Sequence, residues 1–182
     1  FELIEDQVAQ FITSLNQEHP TVPIFLMGIS MGGIISINLS VKHPDLIDGL
    51  ILMAPGVKSD FKLSFTDILK LPLLALVYLV RRGKPLIKIE DRSERATRNP
   101  ERIEYQEHDE LRLRKVSPRY LIGLLKWKKK AFQNAENLIH PLLIMVGTDD
   151  KIVSVEGVEE FFHLIPIKDK TLVKLKGAYH SL

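Results

Sequence analysis

The stretch Gly28-Ile29-Ser30-Met31-Gly32-Gly33 decides the fold of this chain of 182 residues. It follows the short apolar run Ile24–Met27, which is typical of a buried parallel strand. Residues 31–42 after it have the pattern of a helix. A Gly-x-Ser-x-Gly pattern between a strand and a helix predicts a turn so sharp that the serine backbone is strained. We therefore expect this turn to lift the Ser30 Oγ clear of the sheet.

The residues around this serine predict a particular chemistry, and residues 28–33 are called the elbow below. Side chains at Gly28 and Gly32 are expected to collide with the turn or with the neighbouring strand. The Met31 backbone N–H lies at a helix N-terminus, where an anion is stabilised. The pattern thus predicts a nucleophile at Ser30 and an oxyanion donor at Met31. The alternative is a tight turn with a buried serine, and the partners of Ser30 decide between the two.

The rest of the chain predicts alternating strands and helices. Residues 2–18 carry apolar side chains at helical spacing, and residues 154–164 do the same. Buried strands are predicted within residues 48–55 and 141–147, and residues 170–175 form a more alternating strand nearer the sheet edge. This order predicts an open α/β fold with a mostly parallel sheet. In such sheets the ligand site lies beyond the carboxyl ends of the strands.

The alternation is interrupted by a long segment in the middle of the chain. Residues 57–132 show no further strand and helix alternation, so we predict a helical cap inserted into a core made of residues 1–56 and 133–182. Within it, Thr66–Val80 is strongly apolar but too short to span a bilayer. This run is expected to form either a buried helix or a helix that meets a lipid surface.

Charge is distributed unevenly along the chain. The net charge is only +2, but 16 Lys/Arg stand against 8 Asp/Glu between Arg81 and Lys130. A near-neutral total implies no general attraction to nucleic acid. The local basic excess beside an apolar helix is compatible with transient docking of the cap on anionic lipid headgroups. The alternative is a solvated face of the helical insertion.

The amino-acid composition and the first residues exclude several further kinds of site and of N-terminal signal. The chain has no cysteine, which excludes disulfides, thiolate metal sites and cysteine nucleophiles within it. Residues 1–6 are acidic and amphipathic, unlike a signal peptide, and they begin inside a helix-like pattern without a methionine. We expect the natural protein to begin upstream of Phe1 and to be cytoplasmic or peripherally membrane-associated.

A reactive serine needs a base within hydrogen-bond reach, and the base needs a carboxylate that fixes its tautomer. Of six histidines, only His180 lies in a loop directly after a predicted strand. The others lie at helix ends, inside a helix, in the charged stretch or at the start of a strand: His19, His43, His108, His140 and His163. The turn Gly147-Thr148-Asp149-Asp150-Lys151 follows the third buried strand and offers two carboxylates. One of them is expected to face the histidine, and the order serine, aspartate, histidine is that of α/β-hydrolases.

These motifs resemble the monoacylglycerol lipase and lysophospholipase-like branch of the α/β-hydrolases, of the serine aminopeptidase S33 type. The matching motifs are Gly28–Gly33, Gly147–Lys151 and Gly177-Ala178-Tyr179-His180, with a looser likeness at Arg98-Asn99-Pro100 and Tyr105. Position 29 departs from the pattern, because it is Ile where this branch often has His. That difference bears on the shape of the pocket rather than on the chemistry.

The resemblance implies roles for individual residues. Ser30 becomes the nucleophile, Asp150 the acid and His180 the base, with Asp149 as the second candidate acid. The implied activity is hydrolysis of carboxylic esters of lipids, such as monoacylglycerols or lysophospholipids, without a metal or organic cofactor. Residues 63–80 become a lid and acyl-chain pocket. An acyltransferase, a thioesterase, a peptidase or a non-catalytic binding module on the same scaffold remain the alternatives.

The resemblance also implies that the four strands are the last four of the family's sheet, side by side. The chain would then be the C-terminal part of an α/β-hydrolase fold, incomplete at both ends and open beside the strand that leads to Ser30. The family takes a second oxyanion donor from a His-Gly motif, which does not occur in this sequence. We therefore expect the chain to be a fragment of a longer enzyme.

Overall fold

A computed structural model describes residues 1–59, 84–85, 87–89 and 93–182 of the chain. The apolar run Thr66–Val80 and the lid predicted around residues 63–80 lie outside these ranges. The elements of the described residues, in chain order, are α1 (Glu2–Glu18), β1 (Phe25–Ile29), α2 (Met31–Lys42), β2 (Gly49–Met53), β3 (Ile87–Lys88), α3 (Ser93–Ala96), α4 (Pro100–His108), β4 (Lys115–Val116), α5 (Pro118–Gln133), β5 (Leu142–Gly147), α6 (Val155–Leu164) and β6 (Lys170–Leu175).

The main sheet has four strands in the order β1-β2-β5-β6, and all three pairings are parallel. Gly28 of β1 lies beside Leu52 of β2, and Leu52 lies beside Ile144 of β5. Because all strands run the same way, their carboxyl ends meet at one edge of the sheet. The α/β class and the mostly parallel sheet are thus confirmed, and β1 and β6 are the outer strands of the described sheet.

The two faces of the sheet differ in how well they are covered. On one face, Leu50, Leu52 and Ile144 are at most 1% exposed and pack with Ile37 and Leu39 of α2. Burial of this face supplies the hydrophobic driving force for the fold. On the other face, alternate side chains of β1 are half exposed in the described part of the chain, as shown by Phe25, Met27 and Ile29.

The described residues of the middle segment contain a short sheet as well as helices. These described residues form three helices, and β3 and β4 pair in a two-stranded antiparallel sheet. Two of the helices begin at a local capping signal. The Asn99 side chain, directly before Pro100, accepts from the backbone N–H of Glu101. The Ser117 side chain, directly before Pro118, accepts from the backbone N–H of Tyr120. An Asn or Ser followed by Pro is a strong start signal for a helix.

Helix α5 joins this middle segment to the core. Its Trp127 and Ala131 belong to the same buried cluster as α2. The buried Asn38 side chain donates to the Trp127 carbonyl at 3.3 Å and accepts from the Asn134 amide at 2.9 Å. These bonds satisfy a side chain that would otherwise be costly to bury. The boundaries of the predicted cap stay a prediction. Among the described residues, no helix combines the length and apolar character needed to cross a bilayer.

Candidate active site

The elbow has the strained geometry that its sequence predicts. Ser30 lies between β1 and α2 with a φ of 51° and a ψ of −111°, a conformation that residues with a side chain rarely adopt. Its backbone N–H donates to the Met53 carbonyl at 2.9 Å. Its carbonyl accepts from the N–H groups of Gly33 at 3.1 Å and Gly56 at 2.9 Å. The last residue of β2 and the loop after it therefore hold the strained residue from both sides.

Only one of the two glycines predicted to be sterically required is confirmed. A Cβ on Gly28 would lie 2.4 Å from the Ser36 Oγ and 2.5 Å from the Gly32 carbonyl oxygen, so a side chain does not fit. Apart from the adjacent residues and the backbone of its own helix, a Cβ on Gly32 would meet no atom of the described residues within 4 Å, so the collision expected there is not found among them. Gly33 is the tighter position, because its Cβ would lie 3.0 Å from the Cβ of Pro55.

Met31 is the first residue of α2, directly after Ser30. The first N–H groups of a helix have no partner within it, so the Met31 N–H has no partner within α2. The Met31 Sδ accepts a hydrogen bond from the Tyr120 hydroxyl at 3.3 Å. Helix α5 thus lies against the residue that follows the serine.

The structure brings Ser30, Asp150 and His180 into one hydrogen-bonded line. The His180 Nε2 lies 2.8 Å from the Ser30 Oγ, and its Nδ1 lies 2.8 Å from the Asp150 Oδ2. An ionised carboxylate can only accept. The Nδ1 therefore carries the proton, and the Nε2 accepts from the serine hydroxyl.

The Asp150 carboxylate is fully buried and held on both oxygens. Its Oδ1 accepts from the backbone N–H groups of Ile152 at 2.8 Å and Val153 at 2.9 Å, while its Oδ2 faces His180. Burial alone would raise the pKa of this carboxyl, but the hydrogen bonds from His180, Val153 and Ile152 lower it further than burial raises it. The net effect is a pKa below the ordinary value, which keeps Asp150 ionised.

Asp149, the other candidate carboxylate, points away from the histidine. Its Oδ2 lies 2.8 Å from the Arg98 Nη2, and its Oδ1 accepts from the Thr148 hydroxyl at 3.1 Å. The side chain is 39% exposed. The structure therefore separates the two aspartates, and only Asp150 contacts His180.

The turn that carries both aspartates lies tightly against the loop that carries His180. A Cβ on Gly147 would come within 2.2 Å of the Ala178 carbonyl oxygen, so only glycine allows this approach. The Asp149 N–H donates to the same carbonyl at 3.0 Å, and the Gly177 N–H donates to the Thr148 hydroxyl at 2.9 Å. These contacts set the distance between carboxylate and imidazole.

Two features of the site have weak signals in the sequence. Ala54 follows β2 with a φ of 41° and is fully buried, and the turn it starts carries Gly56 to the Ser30 carbonyl. The adjacent Pro55 and Gly56 are a turn signal, which indicates the turn but not its contact with the elbow. Arg98 lies in the predicted cap, and no local pattern indicates that it reaches Asp149.

A serine in a strained turn after one parallel strand, hydrogen-bonded through a histidine to an aspartate after a later strand, defines the α/β-hydrolase class. Within that class, the chain belongs to the serine aminopeptidase S33 family, because the model of that family matches residues 1–182.

Similar proteins include several lipases. The chain is 29% identical to monoglyceride lipase of Mus musculus, with 100% of this chain and 59% of the relative covered. It is 32% identical to phospholipase YtpA of Bacillus subtilis, with 88% of this chain and 61% of the relative covered. Among solved structures, monoacylglycerol lipase of Paleococcus ferrophilus has a TM-score of 0.77 at 29% identity, with 97% of this chain and 66% of that one covered.

A soluble variant of monoglyceride lipase from Saccharomyces cerevisiae has a TM-score of 0.81 at 23% identity, with 99% of this chain and 60% of that one covered, and this likeness shows the fold alone. The chain spans 59% to 61% of the length of the two curated relatives.

Proposed function

We propose that the protein carrying this chain is a serine hydrolase that cleaves carboxylic esters of lipids, with monoacylglycerols or lysophospholipids as substrates. The observation that supports this most is the hydrogen-bonded line from the Ser30 Oγ through His180 to the buried Asp150. The names of the relatives, monoglyceride lipase and phospholipase, support a lipid ester as the substrate class.

The first half of the reaction is acylation. The His180 Nε2 takes the proton of the Ser30 hydroxyl while the Oγ attacks the carbonyl carbon of the ester. The carbonyl oxygen becomes an oxyanion, which the Met31 N–H at the N-terminus of α2 stabilises in this proposal. His180 then gives its proton to the leaving alcohol, and the acyl group stays on Ser30.

The second half releases the fatty acid. His180 takes a proton from water, the resulting nucleophile attacks the acyl-enzyme, and the proton returns to the Ser30 Oγ as the ester bond breaks. Asp150 stays ionised throughout and stabilises the imidazolium that forms twice in each cycle. Its lowered pKa and its two backbone hydrogen bonds suit this role.

Substitution of the serine tests the proposal in the natural full-length protein. Ser30→Ala should abolish hydrolysis of a monoacylglycerol and covalent labelling by a fluorophosphonate. Ser14→Ala is the matched control, because the Ser14 hydroxyl is exposed on α1 and bonds only locally to the Phe11 carbonyl. Labelling that persists in the Ser30 variant, or that is lost equally in the control, would rule out Ser30 as the nucleophile.

The same machinery can transfer acyl groups from other compounds, so the substrate needs its own test. A panel of monoacylglycerols, lysophospholipids, acyl thioesters and aminoacyl anilides separates a lipase from a thioesterase or a peptidase. We expect kcat/KM to be highest for the lipid esters. A higher value for the aminoacyl anilides would favour a peptidase, which is the activity that the family is named for.

A further inference from the structure

Arg98 links the middle of the chain to both loops of the candidate active site. It lies between α3 and α4, and its Nη2 is 2.8 Å from the Oδ2 of Asp149, the neighbour of Asp150. Its guanidinium carbon also lies 4.4 Å from the centroid of the Tyr179 ring, next to His180. One side chain therefore contacts the residue before the buried carboxylate and the residue before the imidazole.

A second contact holds the other side of the histidine. The backbone N–H of Ser181 donates to the Ala96 carbonyl at 2.8 Å. Residues 96–98 thus hold Tyr179 through the Arg98 side chain and Ser181 through a backbone hydrogen bond. The ring nitrogens of His180 make both of their bonds inside the site, so the position of this loop determines where its Nε2 lies.

We propose that Arg98 is a positioning residue for the proposed hydrolysis, holding the Tyr179–Ser181 loop where the His180 Nε2 meets the Ser30 hydroxyl. This inference rests on the proposed function, because it assigns Arg98 an effect on that reaction. Arg98 itself touches none of the three residues in the hydrogen-bonded line, and it acts through Asp149 and Tyr179.

The shape of arginine explains why one side chain makes both contacts. The guanidinium is planar, so its edge donates to a carboxylate while its face lies on an aromatic ring. A lysine ammonium is a compact point charge, so it cannot present an edge to a carboxylate and a flat face to a ring at the same time. Lys151 also lies over the same ring, with its Nζ 4.9 Å from the Tyr179 centroid. Interaction with Arg98, followed by that with Lys151, lowers the pKa of the Tyr179 phenol below its ordinary value.

We expect the loss of Arg98 to change the geometry of the candidate active site more than the stability of the protein. Arg98 and Asp149 are 64% and 39% exposed, and exposed ion pairs contribute little to folding. Catalysis is more sensitive, because misplacing a reacting group by about 1 Å can reduce the rate by about 100-fold. Loss of Arg98 should therefore slow the reaction without unfolding the protein.

Kinetics of three variants of the natural full-length protein test the inference. Arg98→Gln should lower kcat for a soluble ester by about 10-fold to 100-fold and leave KM within about twofold. Arg98→Lys should recover part of the loss. Arg102→Gln is the matched control, because this nearby arginine contacts Tyr105 within α4, and its kcat should equal that of the wild type. The rate of fluorophosphonate labelling should fall by the same factor as kcat.

A second measurement separates positioning from a general structural effect. The ultraviolet titration of the Tyr179 phenolate should move to higher pH in Arg98→Gln, and the melting temperature should stay that of the control. An Arg98→Gln enzyme with the kcat of Arg102→Gln, or one whose loss of kcat follows its loss of folded protein, would overturn the inference. A wild type and a control that hydrolyse no ester would instead overturn the proposed function, and the inference with it.

Discussion

The two sides of the turn Gly147–Lys151 hold neighbouring aspartates in opposite surroundings. The Asp150 side chain has no exposed surface, and its oxygens accept from two backbone N–H groups and an imidazole. The Asp149 side chain is 39% exposed and pairs with a guanidinium that is 64% exposed. The buried Asp150 carboxylate is a fixed, ionised hydrogen-bond acceptor because donors surround it. The exposed Asp149 carboxylate instead links two segments of the chain through its ion pair with Arg98. The same residue type thus serves two purposes one position apart.

Asp150→Asn is the substitution from which we expect the largest effect, and it tests the difference between the two aspartates. The amide can donate to the Nδ1 of His180 and so favour the tautomer with the proton on the wrong nitrogen, which should lower kcat by about 10⁴-fold. Asp149→Asn is its matched control. The measurement is kcat on a soluble ester in the natural full-length protein, with circular dichroism to check folding. A loss within tenfold of the control would show that Asp150 is not the functional carboxylate.

The turn as a whole is tested by Gly147→Ala. The new Cβ would lie 2.2 Å from the Ala178 carbonyl oxygen, so the His180 loop must move, and we expect a loss of about 1–3 kcal/mol in the free energy of unfolding. Gly32→Ala is the control for stability, since outside its own helix and adjacent residues its Cβ would meet no described atom within 4 Å. Urea unfolding measures both variants. Equal losses would contradict the close approach of the two loops.

The buried Asp150 carboxylate should also affect how the free energy of unfolding depends on pH. Its pKa is lowered in the folded protein from the ordinary value of 3.8. Its contribution is therefore fully present above that value and is lost as the pH falls through the lower, folded pKa. The difference in unfolding free energy between the wild type and Asp150→Asn should shrink as the pH is lowered from about 6 to about 2. A difference that does not change over this range would contradict the expected linkage.

The smallest expected effect belongs to Asp149→Asn. Arg98 keeps its contact with the Tyr179 ring in this variant, so kcat should fall by less than about threefold. Salt should have a similar small effect on the wild type, because exposed ion pairs are screened. Measurement of kcat at low and high salt, for both proteins, checks the prediction. A loss as large as that of Arg98→Gln would show that the ion pair, and not the ring contact, holds the loop.

The meeting of Ser30, Asp150 and His180 could be expected from the sequence because each follows a predicted strand. Parallel strands bring their carboxyl ends to one edge, so position along the chain becomes position in space. Position along the chain does not decide which of Asp149 and Asp150 faces the histidine. Both lie in one turn, and the residues alone left the choice open; the family resemblance favoured Asp150, which is the one that contacts His180.

Other features could not be predicted because their causes are not local. The contact of Arg98 with Asp149 joins residues 51 positions apart, and an arginine in a charged stretch has the pattern of a solvated side chain. Strands β3 and β4 have two residues each, which is too short for an alternating pattern. The collision expected at Gly32 is not found among the described residues, and the close contact lies at Gly33, against Pro55.

The backbone of Ser30 carries a consequence for how this chain can evolve. A φ of 51° with a ψ of −111° is a conformation that glycine adopts without penalty and serine does not. A single codon change to glycine would relax the turn, and the hydroxyl would be lost with the strain. A lineage released from selection for the proposed reaction should therefore drift towards glycine at this position, and retention of the serine would indicate selection for that reaction over ease of folding.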